Sequence, residues 1–299
     1  MALNPSIFKT RALTALVFVL VMLTGLLWNQ WSFFILFSVI HFGCWYEYQK
    51  IIALIDKDYA QISPFHRYGV MIAGWCLMWY FTNAGYHIGD TSFHAIGWWV
   101  GLVFLFVLPT GEILLSRKLN LKNIGYSALG LLYISLSLGL LTHLRTLFYG
   151  NLVSVWGRLL VLMIIGSIWI NDTMAYIVGS MIGKTPFSKI SPKKTWEGTL
   201  GGIILSVLVM GIIGYFLGRY LNDGDTTTDW KWVGQWAIIA FIASVAGTAG
   251  DLLESKLKRM ADVKDSGHIM PGHGGFLDRF DSLLVATPFV WLYVMWIIS

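Results

Sequence analysis

Residues 199–217 read TLGGIILSVLVMGIIGYFL. No residue in this stretch is charged, and after the leading Thr199 four glycines and one serine are the only breaks in a wall of Ile, Leu, Val, Met and aromatic side chains. A bilayer span needs about 20 mostly apolar residues at a helical rise of 1.5 Å each. In lipid the main-chain polar groups must be satisfied within the segment, so such a run reads as a helix. Comparable runs recur on both sides of it. The sequence predicts nine spans, near 12–28, 31–46, 69–85, 95–110, 124–142, 155–172, 199–217, 233–250 and 283–298. Composition agrees, with 56% of the 299 residues hydrophobic and 12% charged. Soluble domains carry about 25% charged residues. The expected fold class is all-α: a polytopic integral membrane protein forming a single membrane domain over 1–299.

Charge sets the expected orientation. With the N-terminus cytoplasmic, that side collects Lys9 and Arg11; Lys50, Lys57 and Arg67; Arg117, Lys118 and Lys122; Lys184, Lys189, Lys193 and Lys194; and Lys256, Lys258, Arg259, Lys264 and Arg279. The opposite side keeps only Arg145, Arg158, Arg219 and Lys231 of the 21 basic residues. This asymmetry predicts N-in and C-out with an odd number of spans. The first run ends Leu26-Leu27-Trp28-Asn29-Gln30 without a small-x-small cleavage site, so a retained helix is expected rather than a signal peptide. The net charge of +5 fits basic cytoplasmic loops and does not call for nucleic acid. Cys44 and Cys76 lie inside apolar runs and read as inert core residues. The acidic stretch Asn222–Asp225, continuing to Asp229, reads as a solvated loop on the outer side. The lack of an organellar presequence points to a bacterial plasma membrane.

Residues 1–150 look mainly like helical scaffold, and 151–299 hold the chemistry. Two polar segments break the apolar pattern there. The first, 171–202, is NDTMAYIVGSMIGKTPFSKISPKKTWEGTLGG. Asp172 closes an apolar run, where a carboxylate is costly unless it is paired, hydrated or bound to a cation. Ser191, Lys193, Lys194 and Thr195 place two ammonium groups between two hydroxyls, which suits a polyphosphate. The plainer reading is that the two lysines fix orientation or touch anionic headgroups.

The second segment, 250–281, is GDLLESKLKRMADVKDSGHIMPGHGGFLDRFD. Asp251 ends one span, while Asp278 and Asp281 begin the last and, three apart on a helix, share a face. Carboxylates at two facing helix ends make a hard-oxygen cage of the kind Mg²⁺ prefers beside substrate phosphates. His273, Gly274 and Gly275 precede the last helix, where main-chain N–H groups can meet an anion. His268 and His273 otherwise read as hydrogen-bonding loop residues. No His/Cys cluster suggests zinc, and no Gly-x-x-x-x-Gly-Lys-Ser/Thr loop is present.

The run Ser255-Lys256-Leu257-Lys258-Arg259, then Lys264-Asp265-Ser266-Gly267, then Pro271 through Asp281 resembles the signature of the phosphatidate cytidylyltransferases, at about 27 contiguous positions with no departure. Ser191-Pro192-Lys193-Lys194-Thr195-Trp196-Glu197-Gly198 is similar to that family's second polar block. The resemblance implies a nine-helix protein, often a homodimer, that joins CTP to phosphatidic acid in the bilayer and uses Mg²⁺, with K⁺ as an optional second ion. It implies that Asp251 and Asp278 match the metal-binding aspartates; Asp281, on the same helix face as Asp278, is expected to complete the shell directly or through water. Lys258, Arg259, Lys264 and Arg279 would neutralise phosphate, and Asp172 would be a cation ligand or nucleotide contact. The active site would face the cytoplasm. A CTP-dependent lipid kinase would use similar charged segments but lacks the full signature. A transporter would set its polar groups near the midplane, often in repeated halves, rather than at one face of the C-terminal half.

Overall fold

Helix starts are written locally in this chain. Asn29 accepts from the Ser32 N–H at 2.8 Å while the Ser32 hydroxyl serves the Asn29 N–H, a reciprocal cap. Ser63 caps the helix that begins at Pro64, where a missing N–H costs nothing. Asn120 does the same for the helix beginning at Leu121. The computed structural model describes residues 5–83, 85–115, 120–147, 155–188, 190–221, 226–267 and 274–298. The expectations for Arg117, Lys118, Lys189, Asn222–Asp225, His268 and His273 fall outside them, as do the side chains of Lys9 and Arg11.

Its helices are α1 (Pro5–Leu27), α2 (Gln30–Ile55), α3 (Lys57–Ala60), α4 (Pro64–Tyr80), α5 (Phe93–Leu115), α6 (Leu121–Gly130), α7 (Ser137–Thr146), α8 (Trp156–Ile182), α9 (Trp196–Leu221), α10 (Thr226–Met260) and α11 (Leu277–Ile298). A π-helical turn, Leu131–Leu136, joins α6 to α7. The one strand pair among the described residues is a small hairpin, His87–Ile88 against Thr91–Ser92.

The predicted spans overlap helices, although 69–85 runs past the end of α4 at Tyr80 and 124–142 covers α6, the π-helical turn and the start of α7. Among the described residues, six continuous helical stretches are long and apolar enough to cross a membrane: Phe93–Leu115, Leu121–Thr146, Trp156–Ile182, Trp196–Tyr220, Trp230–Met260 and Leu277–Ile297. The apolar part of α1, Thr14–Leu27, is shorter, and α4 has 17 residues. This is a multi-pass, almost wholly helical membrane protein.

Helix ends differ from the predicted span ends where polar residues intervene. The predicted spans stop at 172 and 250, but α8 continues to Ile182 and α10 to Met260. A carboxylate does not interrupt i→i−4 hydrogen bonding. What ends α8 is Gly183, in extended conformation.

The chain divides into two compact units, one made of residues 1–146 and 257–280, the other of 147–256 and 281–299. In the first, α2 packs on the π-helical turn, where Ser135 accepts from Trp45 Nε1 at 2.8 Å and meets His41 Nε2 at 2.9 Å. Beside it, α4, α5 and α6 border an apolar cleft of about 630 Å³ lined by Val70, Leu77, Gly101 and Leu105. At the His66 end of the cleft, His66 bonds Glu112 at 2.9 Å and Ser127 at 2.8 Å. In the second unit, α8 and α9 run antiparallel in close contact. A Cβ on Gly198 would meet the Ala175 carbonyl, one on Gly202 the Asn171 carbonyl, and Ser206 Oγ donates to the Ser167 carbonyl at 2.9 Å. Small residues at such contacts replace the hydrophobic drive that lipid cannot supply.

Candidate active site

The link between α8 and α9 is a clamped loop. Phe187 N donates to the Lys194 carbonyl at 2.7 Å and Trp196 N to the Thr185 carbonyl at 3.0 Å. The Phe187 and Trp196 rings meet edge-on at 4.5 Å. Glu197 closes the loop by accepting from the Thr185 hydroxyl at 2.8 Å and from the Lys184 and Thr185 N–H groups at 3.2 Å. Thr195 Oγ1 accepts from Gly198 N at 3.2 Å, capping α9. Ser191 is half-buried and Lys193 is exposed on the turn. Lys194 instead forms an ion pair with Asp251 of α10. Burial lowers the Lys194 ammonium below the ordinary lysine range, while the charges of Asp172 and Asp281 oppose that shift.

Asp251 is one of three carboxylates that cluster in this unit. Asp251, Glu254 and Asp281 offer ligand oxygens that all lie within 4.8 Å of one another. Asp251 and Glu254 share a face of α10 at i, i+3. Asp281 reaches them because α10 and α11 touch at Gly250, where a Cβ would lie 2.5 Å from the Asp281 carbonyl oxygen. Glu254 is fully buried and Asp281 nearly so. One turn before Asp251, Thr248 accepts from Asn171 Nδ2 of α8 at 3.4 Å. Asp172 is exposed on α8, in mid-helix rather than at its end. Three hard oxygen donors at this spacing fit Mg²⁺, which takes a few carboxylates and keeps room for phosphate and water.

The first unit holds the rest of the signature. Lys258 Nζ donates to Asp278 Oδ1 at 2.6 Å. Asp278 Oδ2 accepts from Ser266 N at 2.9 Å and Gly275 N at 2.8 Å, and Ser266 Oγ lies 2.9 Å away. The anion that the Gly275 N–H meets is therefore the Asp278 carboxylate. Gly274 has φ +83°, a conformation that favours glycine. Arg259, Lys264 and Arg279 are exposed. Glu47 of α2 also enters this group, accepting from Ser266 Oγ at 2.6 Å, Phe276 N at 2.9 Å and Leu277 N at 2.8 Å.

The geometry thus brings Lys194, Asp251 and Asp281 together in one unit, and Lys258, Asp278 and Gly275 together in the other. Sequence reading passed over two carboxylates. Glu254 was visible as the i+3 partner of Asp251. Glu47 was visible as a lone acid in an apolar run, which by itself flags a functional position in a membrane helix.

A family model described as "Cytidylyltransferase family" matches residues 9–297. The chain belongs to the cytidylyltransferase family. Among curated relatives it is similar to the phosphatidate cytidylyltransferase of Bacillus subtilis, 34% identical over 200 residues, covering 64% of this chain and 66% of that one. It is also similar to that of Synechocystis, 41% identical over 140 residues, covering 46% of this chain and 44% of the relative. The Rickettsia felis enzyme of the same name is 34% identical over 197 residues, covering 65% of this chain and 82% of its own length. The chain therefore spans just under two thirds of the Bacillus relative and less than half of the Synechocystis one.

Proposed function

We propose that this protein transfers the cytidylyl group of CTP to phosphatidic acid, giving CDP-diacylglycerol and pyrophosphate. The observation that supports this best is the family match across residues 9–297, whose curated relatives carry the name phosphatidate cytidylyltransferase. In the reaction a phosphate oxygen of the lipid attacks the α-phosphorus of CTP. A new P–O bond forms, the bond from the α-phosphorus to the bridging oxygen breaks, and pyrophosphate leaves with the electron pair. The attacking phosphate is already an anion, so no strong general base is needed. The barrier is repulsion between anions, which positioned positive charge lowers.

Asp251, Glu254 and Asp281 form the carboxylate set best arranged to hold Mg²⁺, and the resemblance adds Asp278. When bound, the ion offsets triphosphate charge and makes pyrophosphate a better leaving group. Lys194, already beside Asp251, neutralises nucleotide phosphate, and Lys193 with the Ser191 and Thr195 hydroxyls extends the same surface. The resemblance names Lys258, Arg259, Lys264 and Arg279 as further phosphate-neutralising groups, and His273 as a further substrate contact. The reading includes nine spans, a cytoplasmic N-terminus and a cytoplasmic site in the cell membrane, supported by the distribution of basic residues. It also includes a homodimer, which chemical cross-linking in native membranes tests.

The decisive experiment incubates purified protein with CTP labelled at the α-phosphate, phosphatidic acid and Mg²⁺, then extracts lipid. Label should enter the organic phase, vanish with EDTA and fall by at least about 100-fold in Asp278→Asn, as for loss of a group acting on transition-state charge. Label transferred only from the γ-phosphate would identify a lipid kinase instead. Replacing K⁺ by Na⁺ in the same assay tests the second ion.

A further inference from the structure

Glu47 is 1% exposed in a helix that is otherwise largely apolar, and an isolated carboxylate there is costly. Three donors offset that cost, all of them from the far end of the chain. The Phe276 and Leu277 N–H groups are donors that the start of α11 leaves without intrahelical partners, so Glu47 caps that helix from 229 residues away. The third contact is the Ser266 hydroxyl, whose Oγ lies 2.6 Å from Glu47 Oε2 and 2.9 Å from Asp278 Oδ2. A hydroxyl has one proton, so it serves one carboxylate at a time. While it serves Glu47, the Ser266 and Gly275 N–H groups and Lys258 keep Asp278 bonded. Two glycines wrap the Glu47 carboxylate so closely that a Cβ on Gly267 or Gly275 would run into it.

We infer that Glu47 is a positioning residue: it ties Ser266 to the Phe276 and Leu277 main chain and, through Ser266 and the Gly275–Leu277 main chain, sets the orientation of the Asp278 carboxylate and its Lys258 partner. It touches none of the reacting groups itself. The kinetic part of this inference rests on the proposed cytidylyl transfer, and the structural part does not.

The test uses the full-length protein in detergent, as Glu47→Gln, Ser266→Ala and the double variant. Glu47→Gln keeps the shape but turns one acceptor into a donor facing a donor. The expected kcat falls about 10- to 100-fold, the range for partners that orient ligands from behind, with KM for CTP changed less than threefold. The double variant should be no worse than the poorer single one, because both break the same tie. Independently of turnover, amide hydrogen exchange should speed up at Phe276 and Leu277 in Glu47→Gln and stay unchanged in α8 and α9. A kcat within twofold of wild type, or faster exchange throughout the chain, would overturn the inference. Should Glu47→Gln fail to fold, Ser266→Ala, which leaves both main-chain bonds to Glu47, must show the same kcat loss or the inference is lost. If wild type labels no lipid, the proposed function fails, and exchange alone decides: acceleration confined to 264–280 upholds the role of Glu47, and unchanged exchange removes it.

Discussion

Lys193 and Lys194 are neighbours in sequence with different surroundings. Lys193 is exposed, whereas Lys194 is half-buried against Asp251. Burial lowers the proton affinity of Lys194, so it loses its charge at a lower pH than a free lysine would. Under the proposed function, losing that charge removes positive potential from the place where nucleotide phosphates would bind. The activity of the wild type should therefore decline on the alkaline side earlier than an unperturbed lysine would allow. Lys194→Arg, whose guanidinium stays protonated, should move that decline to higher pH, read from a pH profile of kcat/KM. Lys193→Ala should leave the profile's shape alone and lower activity only several-fold. The sequence showed both lysines as one phosphate-binding pair. It could not show which turns inward, because that depends on how the loop is clamped by Glu197 and by the Phe187–Trp196 contact.

At the level of helices, the site depends on how closely α10 and α11 meet. Gly250 lies against the main chain of Asp281 and Ser282, and no side chain fits between them. Gly250→Ala should push the two helices apart, destabilise the protein by about 1–3 kcal/mol as overpacking does, and weaken Mg²⁺ dependence about tenfold. Thermal unfolding in detergent and a Mg²⁺ titration of activity measure the two effects. The apolar runs made the helices legible, since about 20 uncharged residues leave few other options. Their ends were less so. Asn171-Asp172 and Gly250-Asp251 look like boundaries, yet the helices run on through them, and Asp251 and Glu254 share a face for that reason. Glu47 stands out as a lone acid, but its partners do not: they lie more than 200 residues away, a pairing that no local pattern encodes.

For the whole molecule, orientation is the property most open to a direct check. Cys44 and Cys76 are buried, so background alkylation should be low. Cysteines placed at Lys193 and Lys231, both exposed, should label from opposite faces of sealed vesicles: Lys193→Cys from the cytoplasmic side and Lys231→Cys from the other. Labelling of both from one face would require a different number of spans between them. Stability should also depend on the polar end of the apolar cleft. Glu112→Ala leaves His66 with Ser127 as its remaining partner and should cost about 1–3 kcal/mol, seen as a lower midpoint of unfolding with little change in KM for CTP.

The length of α10 has a consequence for the lipid around it. Its 35 residues make a rod about 52 Å long at 1.5 Å per residue, against a hydrocarbon layer of about 30 Å. Even tilted by 40°, near the upper end of what spanning helices adopt, it would rise about 40 Å. Part of the rod must therefore stand among headgroups or in water, and the Asp251–Arg259 end carries most of its charge. A thicker bilayer would draw those carboxylates toward hydrocarbon, and a thinner one would lift them clear. Acyl-chain length of the host membrane thus becomes a variable of the proposed chemistry, and on that reading the protein would work at a rate set partly by the thickness of the membrane it helps to build.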